Sequence, residues 1–225
     1  MPSPTKAVRR LALVAVLLLT ACTNQADLPT PTPTPTVVPL TVAQATQAAL
    51  RVSDLPKGWD GGVAVDPRPT PGPRGQYDPA ECVAFRHPTD PLGKPTTAVR
   101  GQYFTRQPLQ TVTEFVWSWP TEPDSLVPDL VSGLGKCSSY TMVAPDEEKY
   151  RWAATRLPVS GLSNGLALRY DASTESGEPA AFVIYSAYVV RGGTVVYLEV
   201  QGETITDAVF AQLVSKAVAR LDAVG

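Results

Sequence analysis

Ser163 stands in Gly161-Leu162-Ser163-Asn164-Gly165, the G-x-S-x-G spacing in which a sharp turn can present a serine nucleophile to a histidine and an oxyanion hole. The hydrolase order places an acid and then a histidine downstream of that serine, whereas the single histidine, His87, lies upstream. The plainer expectation is a glycine-rich turn entering a strand at Leu166, with no catalytic residue. His87 titrates near neutrality in principle, but Phe85-Arg86-His87-Pro88-Thr89-Asp90-Pro91 reads as an exposed loop. Asp146-Glu147-Glu148 clusters carboxylates without the spaced ligand series and turn glycine of a calcium loop. The chain therefore calls for no metal and no cofactor.

The cysteines carry different chemistry. Cys22 closes Leu19-Thr20-Ala21-Cys22 behind Lys6, Arg9, Arg10 and the apolar run Leu11 to Leu19. That is the pattern of a secretory signal peptide ending at a lipoprotein cleavage box, with Cys22 acylated, for instance by palmitate, as the first mature residue. The apolar run is about half of the ~20 residues a spanning helix needs. Cys82 and Cys137 then remain as an even pair in an oxidising compartment, read as a disulfide that restricts the unfolded chain by about 4 kcal/mol. A metal-ligand pair or a reactive thiol are the alternatives, and no C-x-x-C spacing accompanies them.

Aromatic residues offer a binding chemistry. Trp117 and Trp119 are two apart on a predicted strand and so share a face, with Phe115 and Thr113 in register behind them. That face is either the core side or the rim of a cleft stacking on an apolar or sugar-like ligand, with Arg100 and Glu114 as orienting polar groups.

These residues need elements to hold them. Residues 1–21 read as the signal peptide and residues 22–40 as a lipidated linker carrying the repeat Thr30-Pro31-Thr32-Pro33-Thr34-Pro35-Thr36. Alternate prolines favour an extended polyproline II form reaching on the order of 55 Å from the membrane. Residues 41–225, roughly 185, suit one domain with a real core. A helix is predicted over Thr41 to Leu50 with Thr41 as cap, then a long proline-rich loop from Asp60 to Pro79, and a short helix from Pro79 to Phe85 carrying Cys82.

Thr96 to Thr105 and Thr111 to Trp119 form a predicted hairpin, with Pro108 in its connection. A helix over Asp124 to Lys136 brings Cys137 to its end, and strands follow at Tyr140 to Val143, Tyr150 to Leu157 and Leu166 to Asp171. Ala181 to Val190 and Val195 to Gln201 make a tight hairpin through Gly192-Gly193, the first strand central because it is apolar on both faces. From Thr204 to Ala223, Phe210, Leu213, Val214, Ala217, Val218 and Leu221 recur at helical spacing. The fold class is α+β, an antiparallel β-sheet with helices packed against it.

Charge excludes some partners. Removing residues 1–21 takes away Lys6, Arg9 and Arg10 and no acid, leaving 16 Lys and Arg against 21 Asp and Glu, a net charge near −5. That balance argues against nucleic acid and against electrostatic adhesion to anionic headgroups.

The order of several short segments resembles a family. They are Ser53-Asp54-Leu55-Pro56-Lys57-Gly58-Trp59, Pro79-Ala80-Glu81-Cys82, Trp117-Ser118-Trp119-Pro120, Gly135-Lys136-Cys137-Ser138-Ser139-Tyr140 and Leu157-Pro158-Val159-Ser160-Gly161-Leu162, followed by the glycine-turn hairpin and final helix. This order is similar to the PknH-type extracellular sensor domain, the outer domain of actinobacterial receptor kinases that also occurs alone in actinobacterial lipoproteins. The resemblance implies an antiparallel sheet with packed helices, a cleft suspected of ligand binding and no established catalysis. The family domain has two disulfides where this chain has cysteines for one. The expected function is a non-catalytic, membrane-tethered extracytoplasmic lipoprotein that binds a small ligand or an envelope protein. An assembly accessory acting through a protein interface is the alternative, and a serine hydrolase comes third.

Overall fold

Pro179–Arg191 (β9) and Thr194–Gly202 (β10) pair antiparallel across a two-residue turn, as their apolar runs and the intervening glycines predict. Only Gly192 takes positive φ, +50°. Gly193 is required for a different reason: a Cβ there would run into the Trp119 carbonyl oxygen, whose own amide N–H donates to the Gly193 carbonyl at 2.8 Å. The turn is thus pressed against the end of the strand that carries the tryptophans.

The structure is a computed structural model that describes residues 37–61, 75–89, 92–93, 95–100, 104–106, 110–144 and 148–225. Cys22, the signal segment, the linker up to residue 36, Asp146 and Glu147 lie outside them. The remaining strands are β1 (Asp60–Gly61), β2 (Gln76–Asp78), β3 (Thr97–Arg100), β4 (Phe104–Arg106), β5 (Gln110–Ser118), β6 (Ser139–Val143), β7 (Lys149–Leu157) and β8 (Gly165–Thr174). They join one antiparallel sheet in the order β1-β4-β5-β10-β9-β8-β7-β6-β2, with β3 also paired to β5. The predicted hairpin around Pro108 exists, but its first strand is two pieces, β3 and β4, whose registers against β5 differ by one residue. The stretch from Asp60 to Pro79, expected as a loop throughout, contributes β1 and β2 at its two ends.

Among the described residues four α-helices lie on this sheet: α1 (Val42–Ala48), α2 (Cys82–Arg86), α3 (Leu126–Lys136) and α4 (Asp207–Asp222). Thr41 and Gln44 form a reciprocal capping box on α1, and the Thr206 side chain caps α4 by accepting from the Val209 amide. Pro128 is tolerated in α3 because it falls in the first turn, where no intrahelical bond is lost. Among the described residues no helix is long and apolar enough to cross a membrane.

The period-two alternation of the strands divides the core in two. On one face Phe104, Val112, Val116, Val196, Leu198, Val200 and Ala187 pack under α1 and α4, whose Phe210, Leu213, Val214 and Leu221 are all at most 2% exposed. Each of those large side chains contributes about 1.5–3 kcal/mol by leaving water. On the other face Leu166, Leu168, Tyr170, Ile184 and Trp152 pack with Phe85 of α2 and Leu126 and Leu130 of α3. Cys82, at the start of α2, and Cys137, at the C-cap of α3, are joined by a disulfide with Cα atoms 5.6 Å apart.

Asp54 ties the first face together. It accepts from Arg220 of α4 at 2.6 Å and from the Arg51 amide at 2.8 Å. Although burial pushes its carboxyl up, these bonds hold it below the ordinary aspartate value. The chain enters against the end of β5, where the Val37 amide donates to the Pro120 carbonyl at 3.1 Å and the Leu40 amide to the Ser118 hydroxyl at 3.0 Å.

Candidate functional site

On β5 the alternation that sends Val112, Glu114 and Val116 to the α1/α4 face sends Thr113, Phe115 and Trp117 to the opposite one. Register then decides their neighbours. Opposite Thr113, Phe115 and Trp117 stand Glu199, Tyr197 and Val195 of β10, and beyond these Ser186, Tyr188 and Val190 of β9. Directly opposed residues share a face, so an aromatic row and a polar row lie side by side across three strands.

The rings adopt one orientation. Phe115, Trp117 and Tyr197 have centroids 5.1, 6.0 and 6.2 Å apart and interplanar angles of 6°, 12° and 17°. Tyr188 closes on Tyr197 at 4.8 Å, and Trp119 meets Trp117 edge-on at 6.5 Å. Trp117 and Trp119 are each 7% exposed and belong to the core of this face, while Phe115, Tyr197 and Glu199 are half-buried and keep accessible surface.

The polar row is built from complementary groups. The Tyr197 hydroxyl donates to Glu199 Oε2 at 2.5 Å. Burial first, and then the charge of Glu199, pushes the Tyr197 phenol far above its ordinary value; burial also raises the Tyr188 phenol, which neighbours it. Both hydroxyls therefore stay protonated donors through the physiological range. Arg86, at the end of α2, lays its guanidinium 4.4 Å over the Tyr170 ring and within electrostatic reach of Glu199. Among the described residues Ser186 Oγ, in a residue 1% exposed, finds no hydrogen-bond partner. Leaving such a hydroxyl unpaired costs about 1–3 kcal/mol.

The expected site residues are distributed unevenly over this geometry. Trp117 and Trp119 do share one face with Phe115 and Thr113. Glu114 does not join them: an even-numbered position on β5 faces the other way, and its carboxylate lies fully buried beneath α1, accepting from the Leu50 amide at 2.7 Å. Arg100 sits in register opposite Phe115, and its side chain lies outside the described residues. Arg86, Ser186, Tyr188, Tyr197 and Glu199 were not singled out from sequence. The alternation Tyr197, Glu199, Gln201 along β10 was the available signal, but pairing it with β5 needs a contact the linear order does not announce.

The chemistry-bearing motifs stay apart. Ser163 lies in the turn before β8, where Gly161 has φ +81° and Asn164 accepts from the Val190 amide at 2.9 Å. His87 packs edge-on against Tyr77 of β2, three strands from β8 in the sheet order. Beside that turn runs an open groove of about 630 Å³ lined by Leu157, Pro158, Val159, Leu162 and Ala167. Among the described residues no group of three or more His, Cys, Asp or Glu side chains could hold a metal ion.

Neither a family model nor a curated protein sequence matches the chain. Among solved structures, it is similar to the extracellular domain of PknH from Mycobacterium tuberculosis, at 15% identity and a TM-score of 0.61, over 83% of this chain and 97% of that one. An uncharacterized protein from Mycobacterium smegmatis aligns at 13% identity and a TM-score of 0.48, over 80% of this chain and 96% of that one. The chain thus has the fold of the PknH extracellular domain, as the order of its short segments implies.

Proposed function

We propose that this chain is a lipid-tethered, extracytoplasmic binding protein that recognises a ligand on the half-open aromatic face of β5, β10 and β9 and performs no chemistry on it. One observation carries the reading. Phe115 and Tyr197, stacked rings that keep accessible surface, run beside a polar row in which the buried Ser186 hydroxyl finds no partner among the described residues. Buried polar groups in folded proteins are nearly always paired, and an unpaired one beside half-buried aromatic rings supports a site completed by something else.

The shared fold with an extracellular domain supports an outside location, and the disulfide agrees with an oxidising compartment. The tether is assigned to Cys22 on its cleavage-box pattern, with the membrane as first partner. A role as an assembly accessory has less support. Among the described residues the exposed large apolar side chains, Val38, Val42, Val52 and Val131, sit on four different segments: the chain entry, α1, the turn after it and α3.

Native mass spectrometry of the protein purified from its own host tests the proposal. A retained ligand should add mass to the wild type and be lost from Phe115→Ala. A bare mass for the wild type counts against a ligand site.

A further inference from the structure

We infer that residues 37–50 form a strap along β5 with Glu114 as its proton-operated catch, fastened while that carboxyl is neutral and loosened when it ionises. The inference concerns the sheet face opposite the aromatic row and does not depend on the binding role proposed above.

The strap is fastened along β5 and just past its end. The Val37 amide donates to the Pro120 carbonyl at 3.1 Å, the Leu40 amide to the Ser118 hydroxyl at 3.0 Å and the Leu50 amide to Glu114 Oε2 at 2.7 Å. Between Leu40 and Leu50 runs α1, which packs on β3, β5 and α4. Its grip is slight. The helix has 7 residues, and the side chains it buries are Ala45 and Ala48. So short a helix does not persist alone, and alanines remove little apolar area from water. The other cover of this face, α4, has 16 residues and buries Phe210, Leu213, Val214 and Leu221. Of the two covers, α1 opens at the lower cost.

Glu114 is placed to be neutral while the strap is closed. The residue is 0% exposed, the Leu50 amide donates to one oxygen, and among the described residues the other, Oε1, has no hydrogen-bond partner. The cations of α4 are spent elsewhere: Arg220 Nε donates to the Asp54 carboxylate at 2.6 Å and Lys216 to the Asp54 carbonyl. The helix α1 carries no charged side chain. On β10 Leu198 stands opposite Glu114, Arg100 of β3 is in register with Phe115, and Arg106 of β4 with Gln110. A carboxylate with so little compensation is costly to bury, and burial accordingly moves the titration of Glu114 from 4.5 to about 8. Lifting the strap admits water and returns the group to its ordinary value.

The sign follows from which form holds the proton. Below pH 4.5 the open and closed forms both hold it. Between 4.5 and about 8 only the closed form does, so the opening constant rises about tenfold per pH unit and then levels off. Asp54 acts in the reverse sense and in another window, since its carboxyl is held below the ordinary 3.8.

Hydrogen exchange read by mass spectrometry on the full-length protein in detergent, at pH 5.5 and 7.5 with each rate divided by the intrinsic rate at that pH, tests the device. Amides of residues 45–50 should lose about a hundredfold in protection between the two, and at both should be less protected than those of β9 and β10. Glu114→Gln keeps an acceptor for the Leu50 amide and cannot ionise, so its protection there should be the same at both pH values. Infrared titration of the wild type reads the catch without any variant: one protonated carboxyl band should survive above pH 6.5 and vanish by pH 9. Absence of that band above pH 6.5, a wild-type change under about threefold, or an equal change in Glu114→Gln overturns the catch. Equal protection of residues 45–50 and of β9 and β10 overturns the strap, because the segment would then leave only when the whole sheet unfolds.

Discussion

Burial takes the Glu114 carboxyl from 4.5, its ordinary value, to about 8, against the pull of the Leu50 amide and Arg220 and with a smaller push from Asp54. Below pH 4.5 the folded and unfolded chains both hold this proton. Between 4.5 and 8 the unfolded chain releases it while the folded chain keeps it, so the contribution of Glu114 to stability falls as pH rises. Glu114→Gln keeps an oxygen for the Leu50 amide and cannot ionise. The variant should flatten that part of the Tm-versus-pH curve and exceed the wild type in Tm at pH 8 to 9. Equal slopes for the two proteins would contradict a neutral, buried carboxyl. Period-two parity makes the separation of Glu114 from Trp117 legible in the sequence, because positions three apart on a strand face opposite ways. What parity leaves open is which of the two faces is closed by helices.

The disulfide shows the same division at the scale of elements. An even cysteine pair outside the cytosol predicts a bridge, but not that it fastens the start of α2 to the end of α3 over β8. Those helices are 5 and 11 residues long, too short to be stable alone, so they depend on packing and on this link. Replacing both Cys82 and Cys137 by alanine should cost about 2–4 kcal/mol in reversible urea unfolding; a loss under about 1 kcal/mol would mean the unfolded chain gains little freedom without the link. Other elements were readable because their signals are local. Thr41 with Gln44 caps α1, the Gly192-Gly193 pair turns β9 into β10, and the apolar stripe of α4 recurs at helical spacing. The splitting of the first hairpin strand into β3 and β4 was not readable, since it is a matter of register against β5.

For the whole molecule, the proposed tether is the feature to test first. Cys22→Ser should move the protein from the membrane pellet to the soluble fraction after cell disruption. Continued sedimentation with membranes would show attachment by some other means. The described body begins at Val37, hydrogen-bonded to Pro120 beside the Gly193 turn. Val37 thus lies at the Trp117 end of β5, with Thr113 farther along the strand.

By itself the sequence determined the α+β class, the antiparallel hairpins, the helices and the pairing of two cysteines, all of which follow from side-chain period, turn chemistry and local capping within a few residues. Only the tertiary structure decided that β10 lies between β5 and β9, bringing Tyr197 and Glu199 beside Phe115 and Thr113. The physical reason is that strands far apart in the chain choose partners by the burial of whole faces. That is a property of the assembled sheet and is carried by no single segment.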